Sequence, residues 1–296
     1  AVQEAVRVDG DFACIPPGQQ AGRNTRRRGE DLRAGSVALR AGKLLRPADI
    51  GLLASLGIAQ VEVQRRLRVA VLSTGDEVQA VGSPAGPGQI YDSNRYTLSG
   101  MLARLGCEVV DCGIVRDDPA ALEEAFRRAA ATADAVITSG GVSVGEADFV
   151  RDLMHRLGDV AFWKIAMKPG RPMAFGRIGN ACLFGLPGNP VATMVAFYQF
   201  VRAALLKMAG ATPVPELAAF RVRCTEPLRK AAGRTEFLRG ILTFADGECQ
   251  VRSTGAQGSG ILRSMAEANC FIVLESERGD VAAGETVTIQ PFEGLV

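Results

Sequence analysis

The chain has 296 residues, 47% of them hydrophobic and 22% charged, with a net charge of +2. This balance is ordinary for a globular protein and gives no general case for binding nucleic acid or a membrane surface. The length predicts two or three domains, and no apolar run reaches the roughly 18–20 residues of a membrane span.

The chain opens at Ala1 without a signal-peptide pattern, and it is read as a fragment or a processed product. Residues 1–63 are mixed. A weak alternation over 3–12 predicts a strand with a turn at Asp9-Gly10, and 36–39 predicts another strand. Between them the chain is strongly basic, then abruptly acidic, from Arg23 to Asp31. Such a run is a solvated loop or an anion-facing loop, with Asp31 as a further carboxylate. Residues 46–56 have helical spacing, with Gly57 as a stop.

From residue 68 onward strands alternate with helices, the pattern of an α/β layer. A strand over 68–73 ends in Thr74-Gly75-Asp76-Glu77. A helix over 91–105 starts at Asp92 or Ser93 and stops at Gly106. A strand over 107–115 ends in Arg116-Asp117-Asp118, and Asp118 caps a helix with Pro119 at its first position. Cys107 and Cys112 lie five apart in that strand, so they face opposite ways and cannot share a metal. Seven scattered cysteines with no C-x-x-C pair predict a reduced, cytoplasmic chain.

Next comes a short apolar run from Ala135 that reads as a buried strand, followed by Gly140, Gly141, Ser143, Gly145, Glu146 and Asp148 and then a helix. The glycines let a ligand approach the backbone. Its N–H groups suit phosphate, and the carboxylates suit a hard cation such as magnesium. The only histidine, His155, falls in the helix, which excludes a histidine-rich zinc site. Short strands over 162–167, 173–177 and 181–184 lead to Gly185-Leu186-Pro187-Gly188-Asn189-Pro190 and a long apolar helix. After a linker near Pro213 and Pro215 the period drops toward two. Strands over 220–224, 235–242, 249–253, 271–274 and 286–290 predict a small β-barrel.

The charges sort by loop. Asp76 and Glu77, Asp117 and Asp118, and Glu146 and Asp148 all follow strands, so a parallel sheet places them on one edge. Gathered carboxylates repel unless a cation sits between them. No acid occurs between Asp159 and Glu216, a span that holds Lys164, Lys168 and Arg171. Those three bases, beside the helix start at Gly188-Asn189-Pro190, have the composition of an oxyanion site. A substrate with phosphates, a metal ion and a second anion is the reading that composition supports.

Six ordered motifs carry a resemblance across nearly the whole chain. They are Ser73-Thr74-Gly75-Asp76-Glu77, Tyr91-Asp92-Ser93-Asn94-Arg95, Arg116-Asp117-Asp118, Ser139-Gly140-Gly141 through Asp148, Lys168-Pro169-Gly170-Arg171-Pro172 and Gly185 through Pro190. Arg28-Gly29-Glu30-Asp31, Arg239-Gly240 and Thr254 through Ser259 extend it. Together they resemble the MoeA family, the molybdopterin molybdenumtransferases, which includes the C-terminal domain of gephyrin.

The resemblance implies molybdenum cofactor biosynthesis: molybdate enters adenylyl-molybdopterin and AMP leaves, with Mg2+ required. It implies an α/β fold with a central open, mostly parallel sheet and helices on both faces. A mixed β-rich segment over 1–64 and a small barrel over 214–296 flank a molybdopterin-binding domain over 68–208. By position the catalytic and metal acids are Glu77, Asp117 and Asp148, with Asp31 in support. The substrate-binding set is Gly140, Gly141, Ser143, Lys164, Lys168, Arg171, Pro187, Gly188, Asn189, Pro190, Arg239 and Ser259.

The resemblance also implies a cytoplasmic homodimer that binds a small pterin and no nucleic acid or membrane. The adenylyltransferase of the same pathway is a further expected partner. Members usually carry a longer N-terminus with another acid, so this chain is expected to bind adenylated pterin and turn it over slowly. Arg171 stands where many members have lysine, which keeps the charge and alters the hydrogen-bond geometry. Two rival readings are an adenylyltransferase-like enzyme and a non-catalytic dimeric scaffold of the gephyrin type.

Overall fold

The computed structural model describes residues 1–141, 148–245 and 247–293, except for the side chains of 148–152, 162 and 163. The chain divides into two units, 1–62 and 63–296.

The first unit has little apolar surface to bury; its only buried residues are Asp49 and Leu53. β1 (Arg7–Asp9) and β2 (Phe12–Cys14) form an antiparallel hairpin turned at Gly10, whose φ of 58° suits glycine. α1 (Pro47–Ser55) begins with proline, and its Asp49 carboxylate accepts a 2.9 Å bond from the Arg46 N–H. The strand expected over 36–39 does not form; bends and irregular backbone occupy that stretch. A short segment without a partner strand leaves its backbone groups to water.

The second unit contains a central sheet with helices and a separate barrel. Its elements are β3 (Arg68–Thr74), β4 (Val78–Gln79), β5 (Ile90–Tyr91), α2 (Asn94–Arg104), β6 (Glu108–Val115), α3 (Pro119–Thr132), β7 (Ala135–Ser139) and α4 (Asp148–Leu157). β8 (Gly158–Lys164), β9 (Met167–Lys168), β10 (Pro172–Ile178) and β11 (Ala181–Leu186) follow. α5 (Pro190–Ala196) continues through a π-type turn, Phe197–Val201, into α6 (Arg202–Met208).

The central sheet has the order β6-β3-β7-β11-β10-β8. β6, β3, β7 and β11 run parallel, whereas β10 is antiparallel to both β11 and β8. The sheet is therefore mixed at one end. The reason is local: Ile178 pairs with Ala181 across Gly179-Asn180, and a two-residue connection can join only antiparallel strands.

Alternation along the central strands sends side chains to two cores. Val69 and Val71 pack with α2 and with helix 190–208, through Leu98, Leu102, Val195, Phe197 and Val201. Ala70 and Leu72 pack with α3 and α4, through Leu122, Phe126, Leu153 and Met154. Helices thus cover both faces. Cys107 packs on the first core and Cys112 on the second, so the two thiols do lie on opposite faces.

The continuous helix Pro190–Met208 has 19 residues and is apolar enough, by length and composition, to cross a membrane. The sequence missed this because Gln199, Arg202 and Lys207 interrupt the apolar run. Its buried face packs into the first core, as a central helix of a globular layer does.

The barrel uses β12 (Phe220–Cys224), β13 (Thr235–Ala245), β14 (Glu248–Ser253), α7 (Leu262–Glu267), β15 (Cys270–Leu274) and β16 (Thr286–Pro291). β13 pairs with β15, β15 with β16, β16 with β12, β12 with β14, and β14 again with β13. Five strands therefore close on themselves. Val222, Leu238, Val251, Ile272, Val287 and Ile289 fill the interior.

A Cβ at Gly240 would lie 2.8 Å from Ile272 Cγ1, 2.9 Å from Cys270 Sγ and 3.1 Å from Val251 Cγ2. Gly240→Ala should therefore destabilise the chain by about 1–3 kcal/mol, as overpacking does. Urea denaturation followed by circular dichroism measures it.

Candidate functional site

Because β6, β3, β7 and β11 run the same way, the loops after them leave one edge of the sheet. β8 is antiparallel to β10, which is antiparallel to β11, so β8 also ends there. Along that edge the order of loops is the order of strands. Asp117 follows β6, Asp76 and Glu77 follow β3, Gly140 and Gly141 follow β7, and Pro187 to Pro190 follow β11. Lys164 ends β8, and Arg171 precedes β10 beside it, where the Ile165 N–H donates 2.8 Å to the Arg171 carbonyl. At ~4.8 Å per strand the row spans roughly 24 Å, acids at one end and bases at the other.

Neighbouring loops touch. The Asp117 N–H donates 3.3 Å to Asp76 Oδ1. Glu77 folds back over Gly75, where a Cβ would lie 2.6 Å from its Oε2. Asp118 is taken up by capping, since its Oδ1 accepts a 2.8 Å bond from the Ala121 N–H. Gly140 has φ 96°, and a Cβ there would meet the Thr74 carbonyl at 2.6 Å. Only glycine lets the β7 loop close on the end of β3. The Gly140 N–H donates 3.1 Å to the Leu186 carbonyl, which ties the same loop to β11.

Asn94 holds the centre of the edge. Its Nδ2 donates 2.7 Å to Ser139 Oγ and 2.6 Å to the Gly188 carbonyl. Buried Asp92 positions it by gripping the start of α2: its Oδ1 accepts from Ser73 Oγ at 3.0 Å and from the Arg95 N–H at 3.1 Å. Arg95 extends the network to Asp111 on β6, and that hydrogen bond holds the Asp111 carboxyl below the usual range. Thr193 completes the turn, its hydroxyl donating to the Pro187 carbonyl at 2.5 Å. The Asp92-Ser93-Asn94-Arg95 run carried the resemblance, yet sequence reasoning gave Asn94 no role. A helix start rich in Asp, Ser and Asn is ordinarily a cap, and only the fold brings it against two loops.

The barrel reaches this edge at two points. β9 leaves the sheet between β8 and β10 and pairs in parallel with β13, Thr235 opposite Met167 and Glu236 opposite Lys168. The Lys168–Pro169 peptide bond is cis. Lys168 Nζ lies 3.2 Å from Oε2 of Glu236, a carboxylate with only 4% of its side chain exposed. Elsewhere the Ser259 carbonyl accepts a 3.1 Å bond from the Val191 N–H at the helix start after the proline turn.

Arg239 is fully buried. Its Nε donates 3.0 Å to Ser264 Oγ and its Nη2 donates 3.1 Å to the Gly258 carbonyl, while burial pushes the guanidinium down to about 10. It braces the loop that presents Ser259. Lys164 and Arg171 are exposed. Asp31, also exposed, belongs to the first unit. Asp148 is the first residue of α4, but its side chain lies outside the described set, as do Ser143 and Glu146 entirely. Among the described residues no group of three His, Cys, Asp or Glu side chains is gathered closely enough to hold a metal.

Three families match the chain in order. MoeA N-terminal region (domain I and II) matches residues 2–57, a probable molybdopterin binding domain matches 70–207, and MoeA C-terminal region (domain IV) matches 221–292. Molybdopterin molybdenumtransferase of Haemophilus influenzae is 49% identical over 100% of this chain and 74% of its own length. Molybdopterin molybdenumtransferase 2 of Mycobacterium tuberculosis is 38% identical over 98% of this chain and 73% of its own. A crystal structure of the molybdopterin biosynthesis MoeA protein from Pyrococcus horikoshii superposes with a TM-score of 0.78 at 27% identity. It covers 99% of this chain and 71% of that one.

Asn94→Asp replaces a donor with a carboxylate facing the Gly188 carbonyl. The loss is expected to be about 1–3 kcal/mol, the cost of an unmet buried bond. Hydrogen exchange at the amides of Gly188, Asn189 and Val191 should rise before it rises in β3 or β7.

Proposed function

The chain belongs to the molybdopterin molybdenumtransferase (MoeA) family, the enzymes of molybdenum cofactor biosynthesis, and from that premise we propose that it transfers molybdenum from molybdate into adenylyl-molybdopterin and releases AMP. The single observation that carries the reading is the sorting of charge along one sheet edge. Acids follow β6 and β3, a glycine loop and a proline turn lie between, and Lys164 and Arg171 stand at the far end.

Glu77, Asp117 and Asp148 would hold Mg2+ at the acid end. All three are carboxylates, and Glu77 and Asp117 follow the adjacent strands β3 and β6, which suits a hard divalent cation. When bound, the metal neutralises charge on the leaving phosphate. Asp76 stands outside this set because its Oδ1 receives the Asp117 N–H. Asp31, in the first unit, keeps the supporting role that the family resemblance implies. Gly141 and Ser143 would offer phosphate backbone and hydroxyl donors, as loops before helix starts do, and Gly140, whose N–H is bonded to the Leu186 carbonyl, would let it approach the loop closely. Pro187, Gly188, Asn189 and Pro190, fixed by Asn94 and Thr193, would line the pterin.

Lys164, Lys168 and Arg171 would fix molybdate by charge-assisted hydrogen bonds. Ser259 would close the cleft from the barrel, with Arg239 acting through that loop. No side chain need act as a nucleophile, because the substrate's own thiolates take the metal. The domain boundaries proposed are 1–64, 68–208 and 214–296. A cytoplasmic homodimer that receives its substrate from the pathway's adenylyltransferase completes the reading. The barrel, docked at two points of the same edge, favours it over a lone adenylyltransferase-like domain.

AMP release from adenylyl-molybdopterin, followed by chromatography with and without molybdate, tests the proposal. Glu77→Ala and Asp117→Ala should each slow release by about a hundredfold or more, the scale for removing one group of an electrostatic clamp. The thermal midpoint of Glu77→Ala should stay at or above that of the parent chain, because neighbouring carboxylates repel. Full activity in both variants would remove these acids from the mechanism.

A further inference from the structure

Between β9 and the barrel lies a cavity of about 370 Å³, lined by Lys168, Arg229, Lys230, Arg234, Glu236 and Asp280. Four of these groups are cationic and two are anionic, so the cavity carries two net positive charges. The cations differ in how far they are committed. Lys230 is buried and spends its ammonium on three backbone carbonyls, those of Ala231, Ser276 and Arg278, at 3.2, 3.3 and 2.8 Å. Arg229 Nη1 donates 2.8 Å to Asp280 Oδ2. Arg234 is exposed and makes no hydrogen bond or ion pair among the described residues. Lys168 is half exposed and has one partner, Glu236.

Glu236 is the unusual member. It sits in β13, which enters the barrel, and its carboxylate is withdrawn from water. A buried carboxylate is costly unless a cation and hydrogen bonds compensate it. Lys168 supplies both, with Nζ at 3.2 and 3.4 Å from the two oxygens. An oxyanion that reaches Lys168 therefore meets a carboxylate already in place. Like charges at that range disfavour one another. Arg234, at the cavity wall and uncommitted, is the group able to offset the repulsion.

We propose that this cavity is a docking pocket for a tetrahedral dianion, with Arg234 as its uncommitted anchor and Glu236 as the placeholder that the anion displaces from Lys168. The inference rests on the reading that Lys168 serves an oxyanion, and it adds Arg234 and Glu236 to that site. The placeholder keeps Lys168 extended toward the cavity when no anion is bound. It also weakens anion binding, so the anion can pass on to the edge.

Titration calorimetry of the full chain with sodium molybdate tests this, with sodium sulfate and AMP as separate arms. Arg234→Ala should weaken molybdate binding about tenfold, the lower end for one charge-assisted bond. Glu236→Gln keeps the shape and removes the charge, and it should tighten binding by a similar factor. Arg234→Lys should recover part of the loss. Sulfate should compete with molybdate, and AMP should not.

Three results would overturn the inference. Parent-like affinity in both Arg234→Ala and Glu236→Gln would show that the cavity takes no anion. Weaker binding in Glu236→Gln would make Glu236 an orienting group and not a competitor. Displacement of molybdate by AMP would assign the pocket to the leaving nucleotide. Lys168→Ala separates the two levels. If that change leaves molybdate binding intact, the wider reading of the basic end fails. If it weakens binding while the other two variants do not, only the pocket fails.

Discussion

Everything in the site depends on four strands running the same way. The parallel registers of β6, β3, β7 and β11 place four loop ends on one edge, in an order set by hydrogen bonding and not by sequence. Residues 76, 117, 140 and 188 are far apart in the chain, yet they become successive stations along one row. Had one strand been reversed, its loop would lie at the opposite edge and the charge pattern would be lost. The buried alternation of Val69, Ala70, Val71 and Leu72 protects this arrangement, because a one-residue slip would exchange the two cores.

The second constraint is the departure of β9 from the sheet. Lys164 and Arg171 stay at the edge, while Lys168 is carried across to β13. One basic segment thus serves two layers. Its outer residues belong to the sheet, and its central lysine belongs to the barrel. The Ser259–Val191 contact provides a second tether, close to the proline turn. The two tethers bring the barrel to the edge near its basic end and at the proline turn.

Much of this could be read from residue types. Strands followed by glycines and acids, and helices opened by proline, announce a parallel α/β layer in which loops and ligands share an edge. The run without acids from 159 to 216 announced the basic end. What escaped the sequence was decided by tertiary contact. Asn94 looked like part of a helix cap until α2 placed it between Ser139 and Gly188. Glu236 looked like one more polar residue in a barrel strand until β9 set Lys168 against it. Arg239 carried a family role by position, but nothing in its neighbours foretold that it would be buried beneath the loop it supports. The antiparallel end of the sheet was signalled by Gly179-Asn180, a two-residue turn that was passed over.

The central claim is that one edge separates a metal-holding end from an oxyanion-holding end. Anomalous diffraction from crystals soaked in tungstate, a stand-in for molybdate of nearly equal size and charge, locates the anion without reference to turnover. The account predicts a peak between the basic end of the edge and the barrel, within reach of Lys168 and of Lys164 or Arg171. A peak confined to the acid end, beside Glu77 and Asp117, would contradict it.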